Sequence, residues 1–421
     1  MGTRDATTSR QATPLLQQQL ERTAMSKTLS LSPGAILPLA SSLLLGLGAG
    51  LASLPAQANN GVQLPAYGAK AMGMSGVSIA LPQDAAASAN NPAGMALLGN
   101  RFDADLTLLR APIRTEVGSN HYADNAVVAV PTGGFNRVIN EDMSAGLSVF
   151  GQGIALDYGE PVFGTHDLKS SLQQVVLAPT VTWRLAPGHY VGFSPRLAYQ
   201  RLDIAGLEGF GFASPGADKA YGGGFALGYQ GALSDRLSLG VSYASPLWFQ
   251  RLERYRGLLP DGRLNMPQQA GVGLAFKATP QLTLAADALW INWSGERAYG
   301  NRLTEGGPLG ASDGPGFGWR DQKILRFGAS YALNEQWTLR AGASFSNHFI
   351  PSSEATFATL APLAQYDHYS LGASYRLGNG WEVTGSYLYA VNDRLKGTGA
   401  SQGIKVGTDV SYLNFGIGYR F

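Results

Sequence analysis

From residue 101 to the end of the chain, apolar side chains alternate with small or polar ones in segments of about ten residues. In one such segment, Trp337, Leu339 and Phe345 fall on one face, whereas Thr338 and Arg340 fall on the other. A period of two predicts β-strands with two different faces. We count 14 strands of this kind, and the alternation predicts an all-β protein.

The connections between the strands alternate in length. Short turns such as 186–188 and 378–379 contain Gly, Pro or Asn, and long loops such as 294–321 and 347–366 separate them. The connection at 133–142 is the least regular of the short ones. Alternation alone also fits a soluble sandwich, but short turns that alternate with long loops are typical of outer-membrane barrels. The sequence therefore predicts a 14-stranded antiparallel transmembrane β-barrel with both chain ends in the periplasm.

The last predicted strand ends the chain. Leu413, Phe415, Ile417 and Tyr419 alternate with smaller or polar residues and lead to a terminal Phe421. A terminal amphipathic strand that closes on an aromatic residue is typical of outer-membrane barrels and predicts recognition by the barrel-assembly machinery. We therefore expect the chain to reside in the outer membrane of a Gram-negative bacterium.

The N-terminal segment, residues 1–58, has the features of a secretion signal. Lys27 precedes an uncharged apolar run at 35–52, and a small-residue A-x-A site predicts cleavage after Ala58. Met25 follows a polar stretch and is a candidate for the true start. A transmembrane anchor is the alternative interpretation of the apolar run.

We assign the barrel to residues 101–421. Residues 59–100 lie between the signal peptide and its first strand. A barrel of 14 strands has a lumen that is too wide for its own side chains to fill. The segment 59–100 lacks strand alternation and is rich in Ala, Gly, Asn and Met, which suits a small plug, or hatch. A disordered periplasmic tail is the alternative.

Composition narrows the function classes. The chain has 55 glycines, no cysteine, 14% charged residues and a net charge of +2. Disulfides and thiolate metal sites are therefore excluded, and nothing indicates nucleic-acid binding. The five histidines belong to no catalytic or metal-binding motif, and there is no nucleophile elbow or phosphate-binding loop. We expect neither enzymatic activity nor a cofactor.

Several blocks of sequence resemble one family. The segments GAKAMGMSG at 68–76 and DAAASANNPAG at 84–94 are similar to the N-terminal hatch of the FadL family, outer-membrane transporters of long-chain fatty acids and aromatic hydrocarbons. Within the second block, Asn91, Pro92 and Ala93 form the family's most recognisable triplet. The predicted barrel contains further blocks that are similar to the family's and follow in the same order, at 239–246, 264–267, 288–294 and 337–342. In the block 239–246, Ala244 stands where the family usually has an arginine.

The resemblance implies a plugged barrel that takes up hydrophobic molecules passively and releases them sideways through a kink in the third strand. That strand is predicted at 143–155, and its candidate kink residues are Gly146, Gly151 and Gly153. Long-chain fatty acids are the expected cargo. Aromatic hydrocarbons carried by the same fold, and a general porin or adhesin, are the alternatives.

Charged residues on the predicted lumen face bear on the choice of cargo. Arg196, Arg326 and Arg340 are candidates to bind a ligand head group or to join a lumenal network. If they pair with lumenal carboxylates instead, a neutral hydrocarbon is favoured. The predicted partners are hydrophobic small molecules, outer-membrane lipid, lipopolysaccharide and the barrel-assembly machinery.

Overall fold

The computed structural model describes residues 60–304 and 306–421 of the chain. The predicted signal peptide, 1–58, and the candidate start at Met25 lie outside the described residues, as does Asn59. Two parts follow one another along the described chain: residues 60–100, which we call the hatch segment, and a β-barrel.

The barrel is a closed sheet of 14 antiparallel strands, which confirms the predicted fold class and strand number. Successive barrel strands pair with each other, and the last pairs back with the first through contacts such as Arg101↔Arg420. Numbered in chain order among the 19 strands that the structure describes, the barrel strands are β1 (Arg101–Arg110), β4 (Val127–Val138), β5 (Met143–Pro161), β6 (Asp167–Ala186), β7 (His189–Ala205), β8 (Asp218–Ala232), β9 (Leu237–Ala244), β11 (Gln269–Lys277), β12 (Leu282–Ile291), β13 (Gln322–Ala332), β14 (Trp337–Ser346), β15 (Gln365–Gly378), β16 (Trp381–Asn392) and β19 (Val410–Arg420).

Five short strands lie outside this ladder of barrel strands. Four of them form a separate sheet, and the fifth pairs with β8. Their bounds are β2 (Ile113–Val117), β3 (Asn120–Asp124), β10 (Trp248–Phe249), β17 (Leu395–Lys396) and β18 (Ile404–Thr408). The long loops also contain short α-helices and 3₁₀-helices at Glu208–Phe210, Glu253–Tyr255, Pro260–Gly262, Trp293–Gly295, Arg297–Gly300, Ser352–Glu354, Ala355–Ala358 and Gly399–Ser401.

The two faces of the barrel strands differ as a lipid-embedded barrel requires. Leu325, Phe327 and Leu371 point outward and are 54%, 51% and 66% exposed, whereas Arg326, between the first two, is 4% exposed. Apolar side chains therefore face the surroundings and polar ones face the lumen, the reverse of a soluble sandwich. Among the described residues, no helix is long and apolar enough to cross a membrane.

One predicted turn is wrong. The stretch 133–142 was expected to connect the second and third strands, but β4 continues to Val138. The reason lies inside the barrel: a Cβ on Gly134 would approach the carbonyl oxygen of Ala85 in the hatch segment to 1.9 Å. Glycine is present there because the hatch backbone touches the strand, and not because the chain turns. The third strand is also longer than predicted and ends at Pro161.

Candidate functional site

The hatch segment lies within the barrel and is largely buried. It contains α-helices at Ala69–Met72 and Ala87–Asn90 and a 3₁₀-helix at Pro92–Leu97. Glycines on the lumen face allow its backbone to approach the wall, because a Cβ there would lie within about 3 Å of hatch atoms. These glycines are Gly134, Gly192, Gly228, Gly240, Gly273, Gly342 and Gly372.

The family triplet docks against the wall opposite two of these glycines. The Asn91 side-chain amide donates to the carbonyl oxygens of Ile79 at 2.8 Å and Tyr229 at 3.1 Å. Its oxygen accepts from the main-chain N–H of Ala93 at 3.1 Å, which caps the 3₁₀-helix that Pro92 begins. A Cβ on Gly228 would lie 2.1 Å from that oxygen. Asn91 thus joins two parts of the hatch segment to strand β8.

The three candidate arginines all contact the hatch segment. Arg196 donates to the carbonyl oxygen of Ala89 at 3.1 Å. Arg326 donates to the carbonyl oxygens of Pro65 at 2.8 Å and Gly76 at 3.0 Å.

The third candidate, Arg340, donates to the side chains of Gln83 and Ser374, each at 2.7 Å. The structure therefore places the three guanidinium groups at three separate points around the hatch segment. It does not bring them together in one pocket. Their contact with a ligand head group stays a prediction.

Lumenal carboxylates hold hatch N–H groups in the same way. Asp287 accepts from the main-chain N–H groups of Ser78 at 2.8 Å and Ile79 at 3.0 Å. Asp103 accepts from Ala85 at 2.8 Å and Asp105 accepts from Ala69 at 3.1 Å. Two ion pairs add to this network, Arg101 with Asp103 and Lys70 with Glu382. The lumen is therefore a surface of charged groups that bind the backbone of the plug.

The C-terminal half of the third barrel strand, β5, is not paired with the second barrel strand, β4. Strands β4 and β5 pair over seven residues of each, from Thr132↔Phe150 to Val138↔Ser144. On its other side, β5 pairs with β6 without interruption as far as Asp157↔Lys169 and again at Pro161↔Asp167. Within the described chain, residues 151–156 of β5 have no ladder partner on β4. The backbone groups of β5 that face β4 are therefore not hydrogen-bonded to a neighbouring strand in this stretch, which we call the open stretch of the barrel wall.

Gly153 lies in this unpaired stretch. Its φ of 148° is rare for residues with a side chain, and a Cβ would lie 1.9 Å from the carbonyl oxygen of Leu172. Its N–H donates to the carbonyl oxygen of Val62 in the hatch segment at 2.9 Å. Gly151 begins the same stretch and pairs with Val175 on β6, as Gly153 pairs with Gln173. Gly146 differs, because it lies in the half that is paired with β4, where a Cβ would approach the methyl group of Met95 to 2.4 Å.

The beginning of the hatch segment packs behind this open stretch. The Tyr67 ring lies 4.4 Å from the ring of Phe150, centroid to centroid, and its hydroxyl donates to Gln152 at 2.6 Å. Sequence reasoning missed both Val62 and Tyr67, because nothing in their local pattern distinguishes them from other apolar hatch residues. The hatch segment and the open stretch are in direct contact.

The long loops form an apolar cover over the mouth of the barrel. At its centre is a ring cluster of Trp293, Tyr299, Phe317, Trp319 and Phe349, with Trp319 at 5.0 Å from Trp293 and Tyr299 and at 5.3 Å from the other two. All but Phe317 are at most 1% exposed. The same buried apolar cluster continues without a break to the hatch segment and to β5 and β6.

Two details of the ring cluster concern ligand access. A Cβ on Gly61, which has a φ of 63°, would lie 2.2 Å from the Trp293 ring, so the hatch segment reaches the loops. The indole N–H of Trp319 is buried and has no acceptor among the described residues. An unpaired donor in apolar surroundings is a candidate group for binding a polar atom of a ligand.

A loop carboxylate stabilises the cover. Glu208 accepts from the Ser214 hydroxyl at 2.5 Å and from the Thr165 N–H at 3.1 Å, which joins the β5–β6 loop to the β7–β8 loop. The hydrogen bond from Ser214 is the main reason why the pKa of Glu208 falls to about 2. The carboxylate is therefore ionised at any physiological pH. Among the described residues, no group of three or more His, Asp or Glu side chains is placed to bind a metal.

A lipid-facing barrel with a segment folded into its lumen and an apolar cover over its mouth is a plugged outer-membrane channel. The family model described as outer membrane protein transport protein (OMPP1/FadL/TodX) matches residues 50–417. The chain therefore belongs to this family, whose members are outer-membrane transporters of hydrophobic substrates.

Solved structures agree with this assignment at the level of the fold. The toluene transporter TodX of P. putida is 17% identical with a TM-score of 0.66, covering 85% of this chain and 99% of its own. A FadL homologue of Pseudomonas aeruginosa is 18% identical with a TM-score of 0.66, covering 86% and 100%. The toluene transporter TbuX of Ralstonia pickettii is 17% identical with a TM-score of 0.62, covering 85% and 99%. A sequence comparison with curated proteins finds no match.

Proposed function

We propose that this chain takes up long-chain fatty acids from outside the cell and releases them sideways into the outer membrane. The observation that carries the proposal is the continuity of one buried apolar cluster from the loops, past the hatch segment, to the open stretch of β5. A hydrophobic molecule that enters at the ring cluster has an apolar route to the opening between β4 and β5. Transfer follows the concentration gradient and needs no chemical step.

The contacts of the hatch segment support a plug rather than an open pore. Arg326 and Asp287 on the barrel wall each make two hydrogen bonds to hatch atoms, and Asn91 of the hatch segment donates to the carbonyl oxygen of Tyr229 on the wall. Hydrogen bonds to charged groups contribute about 1.5–3 kcal/mol each, so the resting plug is firmly held. Planar-bilayer recording tests this: we expect little steady conductance from the intact protein and large conductance after deletion of 60–100. Large steady conductance of the intact protein would instead indicate a general porin.

Sideways release is supported by Gly153 and the unpaired stretch at 151–156. A movement of the hatch segment that breaks the hydrogen bond between Gly153 and Val62 would free both the strand and the adjoining plug. A disulfide is a direct test, because the chain has no cysteine of its own. Ser88 in the hatch segment and Ser148 in β5 are a suitable pair, because their hydroxyl oxygens lie 2.6 Å apart. We expect Ser88→Cys with Ser148→Cys, when oxidised, to stop oleate uptake and reduction to restore it. Unchanged uptake by the oxidised protein would exclude this route.

Aromatic hydrocarbons are the second candidate cargo. Two observations favour them: the mouth is covered by aromatic rings, and the buried arginines Arg196, Arg326 and Arg340 already bind hatch-segment groups. A neutral molecule needs none of these cations. The two candidates share the proposed route and differ only in the polar group that must be accommodated.

Trp319→Phe distinguishes the two cargoes, because it keeps most of the ring and removes the unpaired N–H. If the N–H binds a carboxylate, we expect weaker binding of oleate and unchanged binding of toluene, measured by calorimetry on the purified protein. Phe317→Leu is a control that alters the cluster without removing a donor. Equal effects of Trp319→Phe on both ligands would remove the support for a fatty-acid head group at this position.

The last strand supports a further partner. Leu413, Phe415 and Ile417 face outward along β19, as the assembly signal predicted from the sequence requires. We propose that the barrel-assembly machinery recognises this strand. Deletion of Phe421 is expected to reduce the folded fraction in the outer membrane without changing the stability of protein refolded in detergent.

A further inference from the structure

The small sheet β17-β18-β2-β3 continues the barrel wall beyond the membrane. Strand β2 follows β1 after two residues, and β18 precedes β19 with only Asp409 between them. Strands β2 and β18 pair with each other, as β1 and β19 do. We call this sheet the wall extension. It places a defined surface directly above one sector of the lipid-facing wall.

The side chains of the wall extension keep the alternation of the barrel. Ile113, Thr115 and Val406 point inward and are buried, whereas Arg114 and Lys405 are exposed on the outer face. In β1 and β19 the same outer face carries the lipid-facing side chains. The outer face of the wall extension therefore looks toward neighbouring outer-leaflet lipid and not toward the barrel axis.

This outer face is strongly basic. A surface pocket of about 460 Å³ is lined by four cations, Arg114, Arg394, Lys396 and Lys405, and by one carboxylate, Glu116. Lys405 pairs with Glu116 at 2.5 Å. The other three cations have no hydrogen-bond or ion-pair partner in the part of the chain that the structure describes. Formal charges leave the pocket at about +3, while the entire chain has a net charge of only +2.

The height of the pocket above the membrane can be read from the strands. Leu413 is exposed on the lipid face, and the Tyr389 hydroxyl donates to Asp409 at 2.9 Å near the upper end of β16, as expected at the membrane interface. Lys405 lies four residues beyond Asp409, roughly 13 Å along an extended strand. The cations therefore lie beyond the lipid-facing side chains on the long-loop side of the barrel, the side on which outer-leaflet lipopolysaccharide carries its phosphate groups.

We propose that the outer face of the wall extension is a docking surface for the phosphates of outer-leaflet lipopolysaccharide. Arg114, Arg394 and Lys396 supply the free donors, and the Lys405–Glu116 pair fixes the floor of the pocket. Phosphate accepts charge-assisted hydrogen bonds from guanidinium and ammonium groups, so it matches the chemistry of the pocket. The bound lipid anchors one sector of the barrel beside the proposed opening without taking part in transport.

Binding of lipid A tests the proposal on the full-length processed protein in detergent. The variant Arg114→Gln, Arg394→Gln, Lys396→Gln removes the three free cations and keeps the Lys405–Glu116 pair. We expect its affinity for bis-phosphorylated lipid A to fall by about tenfold or more, because each cation contributes a few-fold near an anionic surface. The wild-type protein should lose affinity comparably when the probe is dephosphorylated lipid A.

The matched control is Arg137→Gln, Arg236→Gln, Lys277→Gln, which removes two arginines and a lysine that are exposed at the short-turn end. It should bind lipid A like the wild type. Equal losses in the two variants, or wild-type binding of dephosphorylated lipid A at full affinity, would overturn the proposal. So would weaker oleate binding with unchanged lipid A binding, since the pocket would then serve a cargo carboxylate. Because oleate uptake is expected to be unchanged, the result is independent of the transport proposal.

Discussion

The main-chain N–H of Gly153, in the third barrel strand, donates a 2.9 Å hydrogen bond to the carbonyl oxygen of Val62 in the hatch segment. The strand on the open side of Gly153 offers no ladder partner within the described chain, so the plug takes the place that a neighbouring strand has elsewhere in the barrel. Plug and wall are therefore joined where the wall is weakest.

A side chain at Gly153 should disturb this junction. Gly153→Ala puts a Cβ 1.9 Å from the carbonyl oxygen of Leu172 and requires a φ of 148° that alanine rarely adopts. Strain of this kind costs about 1–3 kcal/mol, which the strand can relieve only by moving. We expect oleate uptake by whole cells to change at least about fivefold, with the folded barrel still present by gel mobility.

Gly159→Ala is the matched control, because Gly159 lies in the same strand and also has a positive φ of 65°, but nothing is within 4 Å of its added Cβ. It should transport normally. If both variants transport alike, the conformation at Gly153 has no part in release.

Removal of one hatch anchor should make the channel leak. Asp287→Ala abolishes the hydrogen bonds from the N–H groups of Ser78 and Ile79 and leaves the nearby Arg326 without its lumenal carboxylate. Each lost bond to a charged group costs about 1.5–3 kcal/mol of hatch stability. Planar-bilayer recording should show openings that the wild type lacks. The control is Asp235→Ala, in an exposed short turn, which should show no more channel openings than the wild type. If Asp287→Ala also shows no additional openings, the remaining contacts are sufficient to hold the plug.

The barrel could be predicted because its wall obeys a local rule. Alternation in β14, such as Leu339 outside and Arg340 inside, depends only on the lipid on one side and the lumen on the other. The rule fails where a second surface touches the strand. Gly133 and Gly134 resemble a turn in the sequence, but both lie within β4, and Gly134 packs against the hatch segment. No local pattern records that contact.

The candidate site was less predictable for the same reason. The structure has Arg196, Arg326 and Arg340 in contact with hatch carbonyl or amide oxygens, and the sequence could not show these contacts. The wall extension was missed because its strands are only two to five residues long. The ring cluster is assembled from separate loops, and its partners, such as Trp293 and Trp319, meet only in the folded chain.

Acid should loosen the loop cover through Glu208. Its folded pKa of about 2 lies below the value of about 4.3 for an unperturbed glutamate, so ionised Glu208 stabilises the folded loops above pH of about 4.3. That stabilisation decreases as the pH falls toward 2. A spin label on Ala213→Cys should become more mobile over this range. In the background of Glu208→Gln the label should be mobile at every pH; the same pH response in that variant would assign it to another group.

Trp293 connects the loop cover to the plug, and its removal should weaken both. The side chain is fully buried, contacts Trp319 at a centroid distance of 5.0 Å and packs against Gly61 of the hatch segment. Truncation of a buried tryptophan typically costs about 3–5 kcal/mol, here in the packing of the loops. We expect Trp293→Ala to expose the 294–321 loop to protease and to raise bilayer conductance. Trp248→Ala removes a tryptophan that is 49% exposed and should do neither. If the loop of Trp293→Ala becomes sensitive to protease but the conductance does not rise, the cover and the plug are held independently. If the conductance rises but the loop stays resistant to protease, Trp293 contributes to the plug alone.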